Sequence, residues 1–226
     1  MSTILVPDYI YPSGNAWEQY TGSFPTCSML VANPSNGPGC LDSNYTMAIK
    51  NARDAGLQVI GYVYTCYAVG GLTAVKEDID NWYRFYTIDG IFFDQVKATT
   101  ENFNYYHELH DYVKAKNGAR NFVALNPGTT PDENYMTISD TCSIYENSYT
   151  NWQSTNPYAA WMAKYSPPKL TIFVYSIPDT QAALSVINKS KTNNVGRFFL
   201  TDQSGYTVTP SQSFWKYIVD TIPNGV

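Results

Sequence analysis

The chain has 226 residues, 44% of them apolar, enough to bury a sizeable core and too many for a disordered segment. Its formal charge is −5, from 14 Lys and Arg against 19 Asp and Glu, and no two basic residues are adjacent, so neither a nucleic acid nor an acidic membrane surface is an expected partner. No run of about 18 apolar residues occurs, so no membrane-spanning segment is expected, and Met1-Ser2-Thr3 leads into a strand-like run with no signal-peptide pattern.

Apolar runs recur at regular intervals. In chain order they are residues 4–11 (ILVPDYIY), 28–33 (SMLVAN), 57–65 (LQVIGYVYT), 89–94 (DGIFFD), 121–126 (NFVALN), 142–147 (CSIYEN), 170–176 (LTIFVYS) and 195–202 (VGRFFLTD). Each is short and nearly continuously apolar, as parallel strands covered on both faces are. Helical patterns lie between them. Ser43 is placed to cap a helix running to Ala55, with Gly56 at the stop. Thr73 is placed to cap a second, carrying Val75, Ile79, Trp82, Tyr83 and Tyr86 at helical spacing. Thr100 precedes a third, with Phe103, Tyr106, Leu109 and Val113 on one face and Gly118 at its end. Residues 179–190 and 211–222 read the same way, and 132–138 and 155–163 are weaker patterns. This alternation predicts an α/β protein: one (β/α)8 TIM-barrel domain over residues 1–226. An open doubly wound sheet is the other arrangement, but no G-x-G-x-x-G follows the first strand, and no cofactor is expected.

The strand ends carry the polar groups. They are Asp8 and Tyr9, Asn33, Tyr62 and Tyr64, Asp94, Asn126, Glu146, Ser176 and Asp202. In a barrel these ends converge on one mouth, where active sites form. By alternation, Asp94 facing the mouth places Gly90 and Phe92 inside the barrel. Gln95 then reaches the mouth only if the strand has ended, and Ile144 shares a face with Glu146. Two carboxylates beside a glycosidic bond suffice for its hydrolysis, one giving a proton and the other attacking or activating water. From spacing alone, Asp94 and Glu146 are equally well such a pair or a lysine partner and a helix cap.

The low share of charged residues, 15%, and the 20 Tyr suit an extracellular, carbohydrate-binding surface. Tyr9, Tyr11, Tyr62, Tyr64, Tyr67, Tyr149 and Trp152 are candidate sugar platforms, Trp152 and Tyr64 first; barrel filler is the other reading of Tyr62. Asn33 and Asn126 each precede a proline, which holds them extended and fixes where their amides point. His107 and His110 fall on an outer helix, away from the mouth, so no metal site is expected. Cys40 and Cys66 follow strands two and three and form the preferred disulfide, leaving Cys27 and Cys142 far apart and free.

Six motifs in order, VPDYIYP, VANPSNGPG, GYVYTCY, DGIFFDQ, LNPG and YENSYTNW, resemble the spherulin-4 family over residues 5–155 and more weakly beyond. The resemblance implies a secreted (β/α)8 glycoside hydrolase, endo-acting and retaining; a monomer is expected. Its polysaccharide substrate would contain galactosamine, as galactosaminogalactan does. It implies that Asp94 is the nucleophile, or orients a substrate acetamido group, and that Glu146 is the acid/base. The family's fourth strand typically ends Asp-Glu, and Gln95 stands in place of that Glu. Three readings follow: a tolerated change at a supporting position, a Glu→Gln change that silences the enzyme, or a binding protein descended from hydrolases. A catalytically silent carbohydrate-binding or coat protein is therefore the alternative to an enzyme.

Overall fold

The computed structural model describes residues 1–116 and 120–223. Eight strands close into a parallel barrel in sequence order: β1 (Thr3–Asp8), β2 (Cys27–Ala32), β3 (Gln58–Tyr64), β4 (Gly90–Asp94), β5 (Phe122–Asn126), β6 (Thr141–Ser148), β7 (Leu170–Tyr175) and β8 (Arg197–Leu200). Helices connect them: α1 (Glu18–Thr21), α2 (Ser43–Asp54), α3 (Leu72–Phe85), α4 (Phe103–Lys114), α5 (Tyr149–Ser154), α6 (Thr180–Thr192) and α7 (Gln212–Thr221). The predicted (β/α)8 barrel is thus the fold observed. The weaker patterns are short: 3-10 turns at Glu133–Ile138 and Ala160–Lys164 replace full helices there. The expected stop at Gly118 lies outside the described residues. Among the described residues, no helix is long and apolar enough to cross a membrane.

Two helix caps lie one and two residues before the expected positions. Asp42, not Ser43, caps α2, accepting from Asn44 N at 2.7 Å and Tyr45 N at 3.3 Å. Gly71 precedes α3, with no side-chain cap from Thr73. Asp179 caps α6, accepting from Ala182 N at 2.8 Å.

The strands are apolar on both faces because both are covered. Ile4, Val59, Ile91, Val123, Ile172 and Phe198 are all fully buried. Phe92 on β4 meets Phe173 on β7 with ring centroids 6.2 Å apart. These strands are not neighbours, so the contact crosses the barrel interior and fixes which face points inward.

The lower end is braced by Asp89, just before β4. It takes a paired contact from Arg53 Nε and Nη2 at 3.1 and 3.2 Å and accepts from Val59 N at 2.9 Å. The acid at the other end of the same strand, Asp94, is used differently, as described below.

Gly90 stands opposite Phe122 in the β4–β5 register. A Cβ there would fall 2.1 Å from the Phe122 carbonyl oxygen and 2.5 Å from its nitrogen. Backbone cannot yield without separating the two strands that carry Asp94 and Asn126. Gly90→Ala is expected to cost about 3 kcal/mol, or about 6–12 °C in melting temperature by circular dichroism, and an unchanged melting point would refute the packing described.

Candidate active site

Three consecutive strands deliver three polar side chains to one point of the mouth. Asp94 closes β4, Asn126 closes β5 directly opposite it in register, and Glu146 lies near the end of β6. Asn126 Nδ2 donates to Asp94 Oδ1 at 2.7 Å and to Glu146 Oε2 at 2.5 Å. The two accepting oxygens therefore lie within about 5.2 Å of each other, the sum of the two bonds. The amide cannot be reversed, because Asn126 Oδ1 accepts from Gly128 N at 3.2 Å. Asp94 takes a second donor, Tyr62 Oη, on Oδ2 at 2.6 Å.

Glu146 reaches this point through a bulge. The β6–β7 register pairs Ser143 with Thr171 but Tyr145 with Ile172, so Ile144 is skipped. Glu146 pairs with the inward-facing Phe173, and Ser143, not Ile144, shares its face. Gly128 turns the chain here with φ +65°, in the left-handed region that favours glycine, and a Cβ there would touch Glu146 Cβ only at ordinary contact distance, 3.8 Å. Its carbonyl accepts from Glu146 N at 3.0 Å.

The strand containing Asp94 ends at once. Gln95 has φ +51°, in the left-handed region, and Cys66, Tyr67 and Ala68 after β3 have φ of 47°, 53° and 68°. The two turns are joined. Tyr67 N donates to Gln95 O at 2.7 Å, and the Thr65 hydroxyl lies 2.7 Å from Asp94 O and 2.9 Å from Gln95 O. Backbone strain of this kind persists only where surrounding bonds enforce it. The half-buried Gln95 side chain hydrogen-bonds to no described residue.

Aromatic rings wall the acids. Tyr9 on the β1 end packs edge-on against Tyr62 at 5.5 Å and Tyr206 at 5.8 Å. Burial, then the Asp94 and Glu146 charges, hold the Tyr9 phenol well above the usual tyrosine value. Burial raises the Glu146 carboxyl above its ordinary range; the Asn126 donor works against this, and the Asp94 charge adds to it. Tyr206, in the loop after β8, adjoins Glu146 and was not among the expected site residues. It sits in a polar, turn-rich segment with no periodicity; a lone Tyr after Gly205 is the only signal there. Tyr64 (38% exposed), beside Asp94 in the β3–β4 register, and Tyr67 (51%) in the turn after it present rings to solvent at the rim.

Other expected site residues lie elsewhere. Asp8 is fully buried. Its Oδ1 accepts from Ile10 N at 3.1 Å, its Oδ2 has no partner, and its charge would act on Tyr20, Tyr45 and Cys27. Because Tyr9 faces inward, alternation turns Asp8 toward the helices. Asp202 accepts from Ser211 N and Gln203 Nε2, both at 3.1 Å, and so braces the loop before α7. Trp152 is buried on α5, with Tyr149 stacked on it at 5.9 Å and the Lys189 ammonium 4.8 Å from its ring centre, so its faces are occupied and it is no open platform. Tyr149 is half-buried in that stack and joined to neither acid. Asn33 Oδ1 is buried without a partner, and the Asn33 carbonyl accepts from Tyr45 Oη at 3.3 Å. The expected Cys40–Cys66 disulfide is absent: all four cysteines are free. Cys66 is held in the left-handed turn beside Tyr64, while the Cys40 carbonyl is held by Tyr86 Oη at 3.2 Å.

Residues 3–222 match the sequence profile of the spherulation-specific family 4. The chain belongs to this family. Spherulin-4 of Physarum polycephalum is 36% identical over 164 residues, which are 70% of this chain and 48% of that protein, so the chain spans about half the length of this relative. Among solved structures, Aspergillus clavatus Sph3 in complex with GalNAc superposes with a TM-score of 0.82 at 25% identity, over 96% of this spherulin-4 family chain and 97% of Sph3. The endo-beta-N-acetylglucosaminidase of Cordyceps militaris shares the fold, with a TM-score of 0.61 at 14% identity over 99% and 92% of the two chains.

Asp8 makes stability depend on pH. Burial holds its carboxyl well above the usual value near 3.8, so the folded chain binds this proton more tightly than the unfolded one. Its stabilising contribution is full below the unfolded value and is lost as pH rises through the folded one. Asp8→Asn keeps the acceptor for Ile10 and does not titrate. Relative to wild type, it is expected to melt progressively higher as pH rises from about 3 to 7, at about 2–4 °C per kcal/mol. A difference that stays flat with pH would contradict the assignment.

Proposed function

We propose that this protein is a glycoside hydrolase that cuts within polysaccharides containing galactosamine or N-acetylgalactosamine, with retention at the anomeric carbon. The observation that carries this reading is the shared Asn126 donor, which keeps Asp94 Oδ1 and Glu146 Oε2 no more than about 5.2 Å apart. Retaining glycosidases hold their two carboxyls roughly 5–5.5 Å apart, whereas inverting enzymes need roughly 6.5–9.5 Å to seat a water. The GalNAc bound in the Sph3 structure supports the sugar class.

The environments of the two acids divide the labour. Glu146, raised by burial and by the Asp94 charge, keeps its proton to higher pH and serves as the general acid. Its Oε2 accepts from Asn126, so the acid proton sits on Oε1. Asp94 receives donors on both oxygens, from Tyr62 and Asn126, which fix how its carboxyl group is turned toward the mouth. It attacks the anomeric carbon, or orients the substrate's own acetamido group to do so. Glu146, now deprotonated, then takes a proton from the incoming water and completes hydrolysis. The exposed Tyr64 and Tyr67 faces offer stacking surfaces along the chain of sugars. The enzyme would act outside the cell, as a monomer, without a cofactor.

Gln95 motivates a second reading. A carboxamide neither gives nor takes a proton near neutral pH, so a family position that is usually Glu has lost its acid chemistry. A silent carbohydrate-binding protein on the same scaffold follows if that acid was essential. In the primary reading Asp94 and Glu146 suffice.

Release of reducing ends from deacetylated and N-acetylated galactosamine polymers distinguishes the two. Asp94→Asn and Glu146→Gln are each expected to lower cleavage about 10³-fold with the fold intact. Gln95→Glu is expected to change it less than about tenfold. A wild type that binds but does not cut, with cleavage appearing in Gln95→Glu, would establish the silent reading.

A further inference from the structure

Tyr206 plugs the barrel mouth from the segment between β8 and α7. Its ring lies edge-on to Tyr9, Phe173, Tyr175 and Phe199, with centroids 5.7–6.4 Å away. Its carbonyl accepts from Tyr9 N at 3.3 Å. Phenylalanine would fill this space equally well. The hydroxyl is what sets tyrosine apart, and it is buried without a hydrogen bond of good geometry, although it adjoins the Glu146 carboxylate. A buried hydroxyl left unpaired costs free energy that a phenylalanine would not incur. It is therefore a donor in want of an acceptor, placed beside a group that becomes an anion during the proposed reaction.

We propose that Tyr206 is a positioning residue that acts through Glu146: its hydroxyl donates to the Glu146 carboxylate once that group has given up its proton. The inference rests on the acid role assigned to Glu146 above. When the glycosidic bond breaks, its electron pair leaves with the departing oxygen and the Glu146 proton joins it there. The negative charge left on Glu146 needs donors. The groups that face Glu146 are Asp94 from β4, Tyr9 from β1, Tyr62 from β3, Asn126 from β5 and Tyr206. Glu146 has no salt bridge among the described residues, and Asn126 already divides its two N–H groups between both acids. Tyr206 supplies the second donor. It keeps its own proton, because burial and then the Glu146 charge hold the phenol well above the usual tyrosine value. The tyrosine thus tunes when Glu146 can release and regain its proton, and takes no part in covalent chemistry.

Tyr206→Phe tests this without disturbing the plug. The first readout needs no turnover: the Glu146 carboxyl is titrated by carbon-13 NMR in the wild type and the variant. Loss of a donor to the anion is expected to raise the midpoint by about one pH unit, a tenfold tighter proton. The melting temperature is expected not to fall, since the lost hydroxyl makes no hydrogen bond of good geometry in the resting site. In turnover, the alkaline limb of kcat/KM should move up by a similar amount, with kcat reduced about tenfold and KM within about twofold. An unmoved Glu146 midpoint overturns the proposal, as does a melting temperature that drops as far as it does in Tyr206→Ala. A moved midpoint in a wild type that cleaves no polymer sinks the hydrolase reading and leaves the Tyr206–Glu146 coupling standing. Normal cleavage with an unmoved midpoint does the reverse.

Discussion

One primary amide holds the mouth of this barrel together. Two carboxyl groups from β4 and β6 meet here, and burial together with the Asp94 charge disfavours ionisation of Glu146. Asn126 on the strand between them gives each acid one N–H, and its oxygen is tied to Gly128 N so that it cannot turn over. Pro127 holds Asn126 extended, and the left-handed Gly128 turns the chain so that its carbonyl accepts from Glu146 N. The short sequence Asn-Pro-Gly is thus a mount for an acid pair that neither neighbouring strand could form by itself.

The rest of the barrel divides into a braced end and a strained end. Asp89 and Asp94 bracket the same five-residue strand. Asp89 is spent on Arg53 and a backbone N–H, and so closes the lower end. Asp94 keeps lone pairs available beside Tyr62 and Asn126. Left-handed residues follow the strand ends at 66–68, at Gln95 and at Ser176, and Asn121 and Asn194 adopt the same conformation just before β5 and β8. The Thr65 hydroxyl and Tyr67 N lock two of these turns together behind Asp94. Rigid strands below and enforced turns above give the fixed geometry that acid–base chemistry requires.

The architecture was legible because parallel strands buried on both faces must read as short apolar runs, and eight such runs alternated with helical patterns. Asp94, Asn126 and Glu146 could be found as the polar ends of three successive runs. Where the reading failed, a local geometric event had intervened. Asp8 and Tyr9 are adjacent and cannot both face inward, yet the sequence does not say which one does. The bulge at Ser143–Tyr145 moves Ile144 off the face of Glu146, and nothing in the run CSIYEN announces it. Beyond a strand end the two-residue alternation no longer applies, so Trp152 and Asp202 turned to structural partners. Tyr206 enters from the loop after β8 and reaches Glu146 across β7, packed on Phe173 and Tyr175, a contact between distant segments that no local pattern signals. Cys40 and Cys66 follow neighbouring strands, but proximity in order did not fix their side-chain directions.

The central claim is that Asn126 keeps the two acids at the separation of a retaining pair. Proton NMR of an N-acetylgalactosamine oligosaccharide during its hydrolysis tests this most directly, by identifying the anomer released before mutarotation. The account requires the first product to keep the anomeric configuration of the bond that was cut. An inverted first product would mean that a water fits between Asp94 and Glu146, and would contradict the geometry on which the mechanism stands.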